Sequence, residues 1–293
     1  MGPAARPAAV PPRELLAPAL RAAGRAGQEI LRVYSGDFSV DSKEDRTPIT
    51  EADRRAHAAI CEALGGGPPY PILSEEGRLP PYAERRRWRR FWLVDPLDGT
   101  KEFVKRNGEF TVNIALIERC RPVLGVVYAP VSGLLYFAAR GEGACKAEGF
   151  AAAGLGGGSG AGRGLEVALP EAKRLPRRGS AYRGSIPVRR QGRPLTVMAS
   201  RSHHSERWER YLARLRRVYA GVEVLTLGSA LKSCLVAEGR ADLYLRFGTT
   251  MEWDTAAAQA VLEAVGRRVR SYPWRRRLRY NKRNLANPPF LAC

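Results

Sequence analysis

The chain is poor in the residues that build disulfide frameworks and soft-metal sites. It has five cysteines and three histidines in 293 residues. No two cysteines have the spacing of a zinc-binding pair, and an odd number argues against a disulfide framework. We therefore expect reduced, mostly buried cysteines. The histidines are too few and too scattered for a histidine-rich metal centre. The cysteines are Cys61, Cys120, Cys145, Cys234 and Cys293.

Long hydrophobic runs are also missing. No apolar stretch approaches the roughly 20 residues that cross a bilayer. Residues 1–15 contain no continuous apolar core of the kind found in signal peptides. Arg6 excludes a myristoylation signal, which needs serine or threonine at that position. Hydrophobic residues still make up 44% of the chain, enough for a core. We expect a cytoplasmic, globular protein with no integral membrane segment.

Acidic residues are scarce, at 29 against 49 lysines and arginines, which gives a net charge of +20. A charge of this size raises the hypothesis of nucleic-acid binding. The basic residues concentrate in three segments that are predicted as loops or tails, namely 85–90, 163–193 and 267–283. This distribution predicts no specific nucleic-acid site. It favours a general field that attracts a polyanionic small substrate.

The hydrophobic pattern divides the chain into three parts. Residues 1–145 predict helices followed by an antiparallel sheet, an α+β pattern with a hairpin turn at Arg121 and Pro122. Residues 146–194 are rich in glycine, alanine and serine and then in arginine and proline, which predicts a flexible insertion or linker. Residues 195–293 alternate strands with helices, an α/β pattern. No internal repeat is visible.

The segment 91–100 ends a predicted buried strand with two carboxylates. The apolar run stops at Asp95, and Asp98, Gly99 and Thr100 follow closely. Two acids so near each other repel unless a cation lies between them, and Mg²⁺ takes oxygen ligands while leaving positions for a phosphate. Gly99 permits a sharp turn and lets its N–H face an anion. The alternative interpretation is a strand followed by an aspartate-rich turn.

Three further acids stand at predicted element ends. Asp53 and Asp254 are near helix starts, where either could simply cap the helix. Glu75 follows a short strand and could belong to a solvated loop. Taken together, the five acids favour a metal-binding catalytic site, because a hydrolase that uses two or three Mg²⁺ ions needs four or five carboxylates from separate elements. The Thr100 hydroxyl could hydrogen-bond to a carboxylate and so orient a water, or Thr100 could cap the next turn.

Four sequence blocks occur in an order that resembles the lithium-sensitive, Mg²⁺-dependent phosphatase superfamily that includes inositol monophosphatase. The resemblance covers most of 13–145 and 195–290 and implies a layered α-β-α-β-α sandwich. Within the superfamily, residues 95–117 are most similar to the bacterial 3′(2′),5′-bisphosphate nucleotidases. The four blocks are Thr50 to Asp53, Glu75-Glu76, Asp95 to Thr100, and Trp253 to Ala256.

The resemblance implies a phosphatase that removes the 3′-phosphate of adenosine 3′,5′-bisphosphate, or of its sulfate-bearing relative, and so clears a by-product of sulfate assimilation. An inositol or sugar monophosphatase is the alternative of the same class. A basic nucleic-acid-binding protein on a catalytically idle scaffold is the alternative of another class. The resemblance also allows a homodimer.

The resemblance further implies roles for individual residues. Asp53 and Thr100 would remove a proton from the attacking water, with Glu75 counted among the catalytic residues. Lys232 is suited to a remaining 5′-phosphate. His203 could hydrogen-bond to phosphate or ribose, or it could be an ordinary loop histidine. Two or three Mg²⁺ ions would be held by Glu75, Asp95, the Leu97 carbonyl, Asp98 and Asp254. Substrate would be bound by Leu97, Asp98, Gly99, Thr100, Ser200, His203, Gly228 and Lys232.

Overall fold

The fold is described here from a computed structural model. The structure describes residues 10–38, 40–42, 48–151, 172–177, 182–183, 186–187, 193–201 and 205–293. Within these residues it contains seven α-helices, the first of which follows a 3-10 turn at Pro12–Leu15. The helices are α1 (Leu16–Tyr34), α2 (Glu51–Gly65), α3 (Tyr82–Arg85), α4 (Thr100–Val104), α5 (Glu206–Val218), α6 (Leu231–Glu238) and α7 (Glu252–Ala264).

The strands of the described residues form two main sheets and three short ribbons. The first ribbon and the first sheet comprise β1 (Val40–Ser42), β2 (Pro48–Thr50), β3 (Ile72–Ser74), β4 (Arg90–Asp98), β5 (Thr111–Glu118), β6 (Arg121–Ala129), β7 (Leu134–Ala139), β8 (Gly143–Ala147) and β9 (Lys173–Arg174). The remaining strands are β10 (Tyr182–Arg183), β11 (Ile186–Pro187), β12 (Leu195–Ser200), β13 (Val222–Leu227), β14 (Leu243–Arg246), β15 (Thr250–Met251), β16 (Val269–Ser271), β17 (Ala286–Asn287) and β18 (Phe290–Ala292).

The two main sheets differ in the direction of their strands. The first sheet runs in the order β3-β4-β5-β6-β7-β8-β9, with β3 parallel to β4 and the rest antiparallel. The second sheet runs β13-β12-β14-β18-β16, with the three strands β13, β12 and β14 parallel. Parallel strands end at the same edge of a sheet, so residues that follow β12, β13 and β14 meet there.

Both faces of the first sheet are buried, because successive apolar side chains of its strands point to opposite faces. Trp92 and Val94 of β4 point into a cluster formed with α1 and α2. Phe91 and Leu93 point to the opposite face, into a cluster that includes α6 and α7. A strand that is buried on both faces has a continuous apolar run, because successive side chains point in opposite directions. This explains the run that precedes Asp95.

Helices α6 and α7 form the middle layer. Their cluster also contains Met198, Tyr244 and Phe290 from the second sheet. The other face of that sheet packs against α5 through a third cluster, which includes Val197 and Trp208. The layers therefore follow the order helix, sheet, helix, sheet, helix. This confirms the predicted α-β-α-β-α sandwich.

Some local predictions differ from the structure. The β5–β6 hairpin turns at Arg119 and Cys120, whose φ angles are 49° and 63°, and not at Arg121 and Pro122. Two consecutive left-handed residues match the right-handed twist of a hairpin. The three-part division at 145 and 194 stays a prediction, and most of the predicted flexible segment lies outside the described residues. None of the helices in the described ranges is both long and apolar enough to cross a membrane.

Gly125 generates a prediction for the packing of the middle layer against the first sheet. A Cβ atom there would lie 2.2 Å from the backbone carbonyl oxygen of Ala257 in α7. Since backbone atoms cannot turn aside, we expect Gly125→Ala to destabilise the protein by about 1–3 kcal/mol. The matched control is Gly65→Ala, because a Cβ at Gly65 meets nothing within 4 Å. Urea and thermal midpoints measure both. Equal midpoints for the two variants would contradict the close packing.

Candidate active site

The carboxyl end of β4 presents two aspartates to one place. Asp95 pairs with Asn113 of β5 and Asp98 with Thr111, so β4 contains one extra residue between the two pairs. Such a bulge changes the side to which the following side chain points. Local hydrogen bonds fix both carboxylates: the Leu97 N–H donates to Asp95 Oδ1 at 3.1 Å, and Asn113 Nδ2 donates to Asp98 Oδ2 at 3.2 Å.

Two other elements bring carboxylates to Asp95. Glu75 follows β3, the parallel neighbour of β4, and its N–H donates to the Val94 carbonyl at 3.1 Å. Asp254 lies in the first turn of α7, where its Oδ2 accepts from the Met251 N–H at 2.9 Å. One carboxylate oxygen from each of Glu75, Asp95 and Asp254 lies within 4.8 Å of the others. Three elements that are distant in sequence therefore converge on one point.

This cluster is electrostatically unfavourable by itself. Burial raises the pKa of Asp95 well above its usual range, and neighbouring carboxylates, Glu75 foremost, raise it further. Burial also raises the pKa of Asp254, and the charges of Asp98 and Glu75 add to that effect. The pKa of Asp98 is raised by burial as well, although Lys232 acts in the opposite direction. Two unit charges at such a separation repel by about 3–4 kcal/mol at an effective dielectric constant of about 20. A cation at this point would remove that cost.

Asp53 and Thr100 lie beside the cluster. Asp53 is almost fully buried and caps α2, because its Oδ2 accepts from the Thr50 N–H and hydroxyl, both at 2.7 Å. Its other oxygen, Oδ1, is 3.4 Å from Thr100 Oγ1. The same hydroxyl is 3.4 Å from the Leu97 carbonyl. One hydroxyl hydrogen can serve only one of these acceptors. Asp53 thus caps a helix and contacts Thr100 at the same time.

Gly99 makes the turn from β4 into α4. Its φ is 99°, a conformation that favours glycine, and a Cβ there would lie 3.3 Å from the Glu109 carbonyl oxygen. The backbone therefore passes close to the next loop. Gly99 and Thr100 both line the same cavity as the carboxylates.

The opposite wall of this cavity comes from the second sheet. Ser200 ends β12, Gly228 follows β13 and Arg246 ends β14. Lys232 projects from α6, is 5% exposed, and donates from Nζ to the carbonyls of Leu227 at 3.1 Å and Ser229 at 2.6 Å. Burial lowers the pKa of Lys232 to about 8. One wall of the cavity is thus cationic and the other carboxylate-rich.

The cavity has a volume of about 300 Å³. Most of the predicted site residues line it, and Asp53 reaches it through Thr100. His203 falls outside the described residues. The predicted residues in its lining are Glu75, Asp95, Leu97, Asp98, Gly99, Thr100, Ser200, Gly228, Lys232 and Asp254. Lining residues to which the sequence analysis assigned no individual role include Glu102, Ser229, Tyr244 and Arg246.

The contacts of Glu109 were not predicted either, although this residue joins the two walls. Its carboxylate accepts from the Gly228 N–H at 2.8 Å and from Nε and Nη2 of Arg201 at 2.9 and 2.5 Å. A Cβ at Gly228 would lie 2.4 Å from the Glu109 carbonyl oxygen, so only glycine fits. No local sequence pattern predicts this contact beyond the glycine itself, because Glu109 and Gly228 are far apart in the chain.

Comparison with known proteins agrees with this geometry. A sequence model described as "Inositol monophosphatase family" matches residues 12–288. The chain belongs to the inositol monophosphatase family. It is therefore a phosphatase of the kind that this family comprises, and enzymes of the family are generally metal-dependent.

Within the family, several relatives carry one name. The chain is 43% identical over 273 residues to 3′(2′),5′-bisphosphate nucleotidase CysQ of Salmonella typhimurium, covering 92% of this chain and 95% of that protein. It is 44% identical over 253 residues to CysQ of Escherichia coli K12, covering 85% and 87%.

Solved structures of the family have the same fold. CysQ from Bacteroides thetaiotaomicron superposes with a TM-score of 0.79 at 43% identity, over 96% of this chain and 97% of that one. An IMPase from Thermotoga maritima has a TM-score of 0.67 at 20% identity, covering 93% and 89%, which supports the fold alone.

The carboxylate cluster predicts how a divalent cation changes stability. We expect Mg²⁺ to raise the melting temperature of the wild-type protein, because a bound cation stabilises the folded state that binds it. Asp95→Asn should abolish most of that rise while leaving the metal-free protein at least as stable, since the substitution removes a buried repelling charge. Differential scanning calorimetry with Mg²⁺, or with NaCl at equal ionic strength, measures both effects. An equal rise in wild type and variant would exclude a cation at this cluster.

Proposed function

We propose that the chain is a Mg²⁺-dependent phosphatase that hydrolyses the 3′-phosphate of adenosine 3′,5′-bisphosphate, and also that of its sulfate-bearing relative. The observation that carries this proposal is the division of one cavity into a carboxylate wall and a cationic wall. A substrate with two phosphates has one anionic group for each wall. The relatives named bisphosphate nucleotidases support the same substrate class.

The carboxylate wall suits a hard divalent cation. Its donors are all oxygens that repel one another, and those of Asp95 and Asp254 are held by backbone hydrogen bonds. Mg²⁺ is the cation that combines carboxylate ligands with phosphate oxygens in enzymes. Glu75, Asp95 and Asp254 would hold it, with Asp98 and the Leu97 carbonyl beside them. When bound, the ion offsets charge on the phosphoryl group and lowers the pKa of a water.

The remaining residues of this wall would position the reactants. Thr100 would orient the attacking water through its hydroxyl, and Asp53 would accept the hydrogen that Thr100 donates and so fix that orientation. Correct placement of a nucleophile contributes several kcal/mol to catalysis. The N–H groups of Gly99 and Thr100 would hold the phosphate that reacts. The left-handed turn at Gly99 places these two groups at the start of α4, beside Asp98.

The cationic wall would hold the second phosphate. Lys232 is buried, and Arg246 lies near enough to lower its pKa further. Within the described residues, Ser229 Oγ and Arg246 Nε are buried without a hydrogen-bond partner. Buried polar atoms normally have partners, so unpaired ones in a cavity indicate a ligand. A 5′-phosphate would satisfy both atoms and would hold Lys232 in its charged form.

A substrate panel tests the proposed activity. Purified protein with Mg²⁺ is expected to release phosphate from adenosine 3′,5′-bisphosphate with a kcat/KM well above that for inositol 1-phosphate. Asp95→Asn is expected to remove at least about 99% of the activity, because it takes a charged ligand from the cluster. Phosphate release at the same rate by wild type and Asp95→Asn would exclude the proposed site. A preference for inositol 1-phosphate would replace the substrate but keep the reaction class.

The role of the cationic wall gives a separate prediction. We expect Arg246→Gln and Lys232→Gln to lower kcat/KM for the 3′,5′-bisphosphate about 10- to 100-fold more than for the 3′-monophosphate of adenosine, since only the former carries the phosphate that these residues bind. Lys105→Gln is the matched control, because Lys105 is exposed and lies outside the cavity lining. Equal losses on both substrates would show that the two residues do not bind the second phosphate.

A further inference from the structure

A second cavity lies where β5 turns into β6. Its volume is about 880 Å³, and its walls come from that turn, from the adjoining ends of β7 and α7, and from residues 174–177. Of the 17 lining residues in the described ranges, six are arginines and two are glutamates. Basic residues number 49 of 293 in the whole chain, so the cavity is about twofold enriched in them. The arginines are Arg119, Arg121, Arg140, Arg174, Arg177 and Arg277.

This cavity is separate from the candidate active site, although the same elements reach both. Asn113 of β5 pairs with Asp95, whereas Glu118 at the other end of β5 lines the second cavity. Five residues of a strand span about 17 Å. In α7, Asp254 lies at the active site and Glu263 at the second cavity. Nine residues of a helix span about 14 Å.

Among the described residues, most arginines of the second cavity have no carboxylate partner. Glu118 forms ion pairs with Arg90 and, at 2.9 Å, with Arg140, and Glu263 pairs with Arg277. Within the described part of the lining, two carboxylates against six guanidinium groups leave a net charge of +4 in one concave surface. Like charges in a concavity reinforce one another and attract anions. Within the described ranges, no hydrogen bond or ion pair holds the side chains of Arg119, Arg121, Arg174 or Arg177.

The lining indicates the chemistry of the ligand. Every cation among the described lining residues is an arginine, whose planar guanidinium forms paired hydrogen bonds with phosphate oxygens. Among the lining residues that the structure describes, none has an aromatic side chain on which the bases of a single strand could stack. Its volume is in the range of small-molecule sites. We propose that this cavity binds a small polyphosphorylated anion. The proposal does not depend on the activity proposed for the first cavity.

Binding of inorganic tripolyphosphate tests the proposal. Isothermal titration calorimetry is run with EDTA at about 150 mM salt, where long-range attraction is screened. Arg121→Gln combined with Arg174→Gln removes two arginines that stand on strands of the cavity wall. The matched control is Arg216→Gln combined with Arg217→Gln, an equal change of charge at exposed positions of α5. Circular dichroism and melting temperature confirm folding of both.

We expect the cavity variant to lose one tripolyphosphate-binding event seen in the wild type, or to weaken it at least about tenfold, and the control to bind like the wild type. Phosphatase activity should be unchanged in both variants. Equal weakening of tripolyphosphate binding in the two variants would overturn the proposal, because it would show that the overall positive charge of the protein attracts the anion. Unchanged binding in the cavity variant would also overturn it. The proposal would also be overturned if the protein did not bind tripolyphosphate but bound a short single-stranded oligonucleotide through the cavity arginines.

Discussion

Carboxylates that lie a few ångströms apart in a buried place repel, and the fold must hold them against that repulsion. It does so for two of them by attachment to the backbone: Asp95 accepts from the Leu97 N–H, and Asp254 from the Met251 N–H. The elements that carry them are themselves fixed by packing, β4 in the centre of a core on both faces and α7 between two sheets. The site is thus preorganised before any cation arrives, because the sandwich supplies the energy that the cluster costs.

The second sheet supplies the opposite charge. Lys232 acts on Asp98 across the cavity and lowers its pKa, against the effect of burial. Glu109 links the walls by holding Gly228 and Arg201. A cavity built from two sheets can therefore carry both signs of charge at a fixed distance. That arrangement favours ligands with separated anionic groups and discriminates by geometry as well as by charge.

Much of this architecture could be predicted from the sequence, for identifiable reasons. Asp95 and Asp98 end an apolar run, a local pattern that is visible without the fold. Asp53 and Asp254 each had two interpretations, a helix cap and a site residue, and the structure shows that both caps form at the edge of the site. No individual role was predicted for Arg246 or Glu109, because their significance depends on contacts across the two sheets. The turn at Arg119 and Cys120 was misplaced, because Pro122 gave the stronger local signal.

The double use of Asp53 has a consequence for how such chains diverge. Its carboxylate stabilises the start of α2, so selection for folding alone would retain this residue in a descendant that had lost its chemistry. Selection for folding alone would act against Glu75 and Asp95, since their mutual repulsion costs stability unless a cation is bound between them. In a lineage released from catalysis, these two would be substituted first. Retention of Glu75 and Asp95 together is therefore the better mark of a working enzyme.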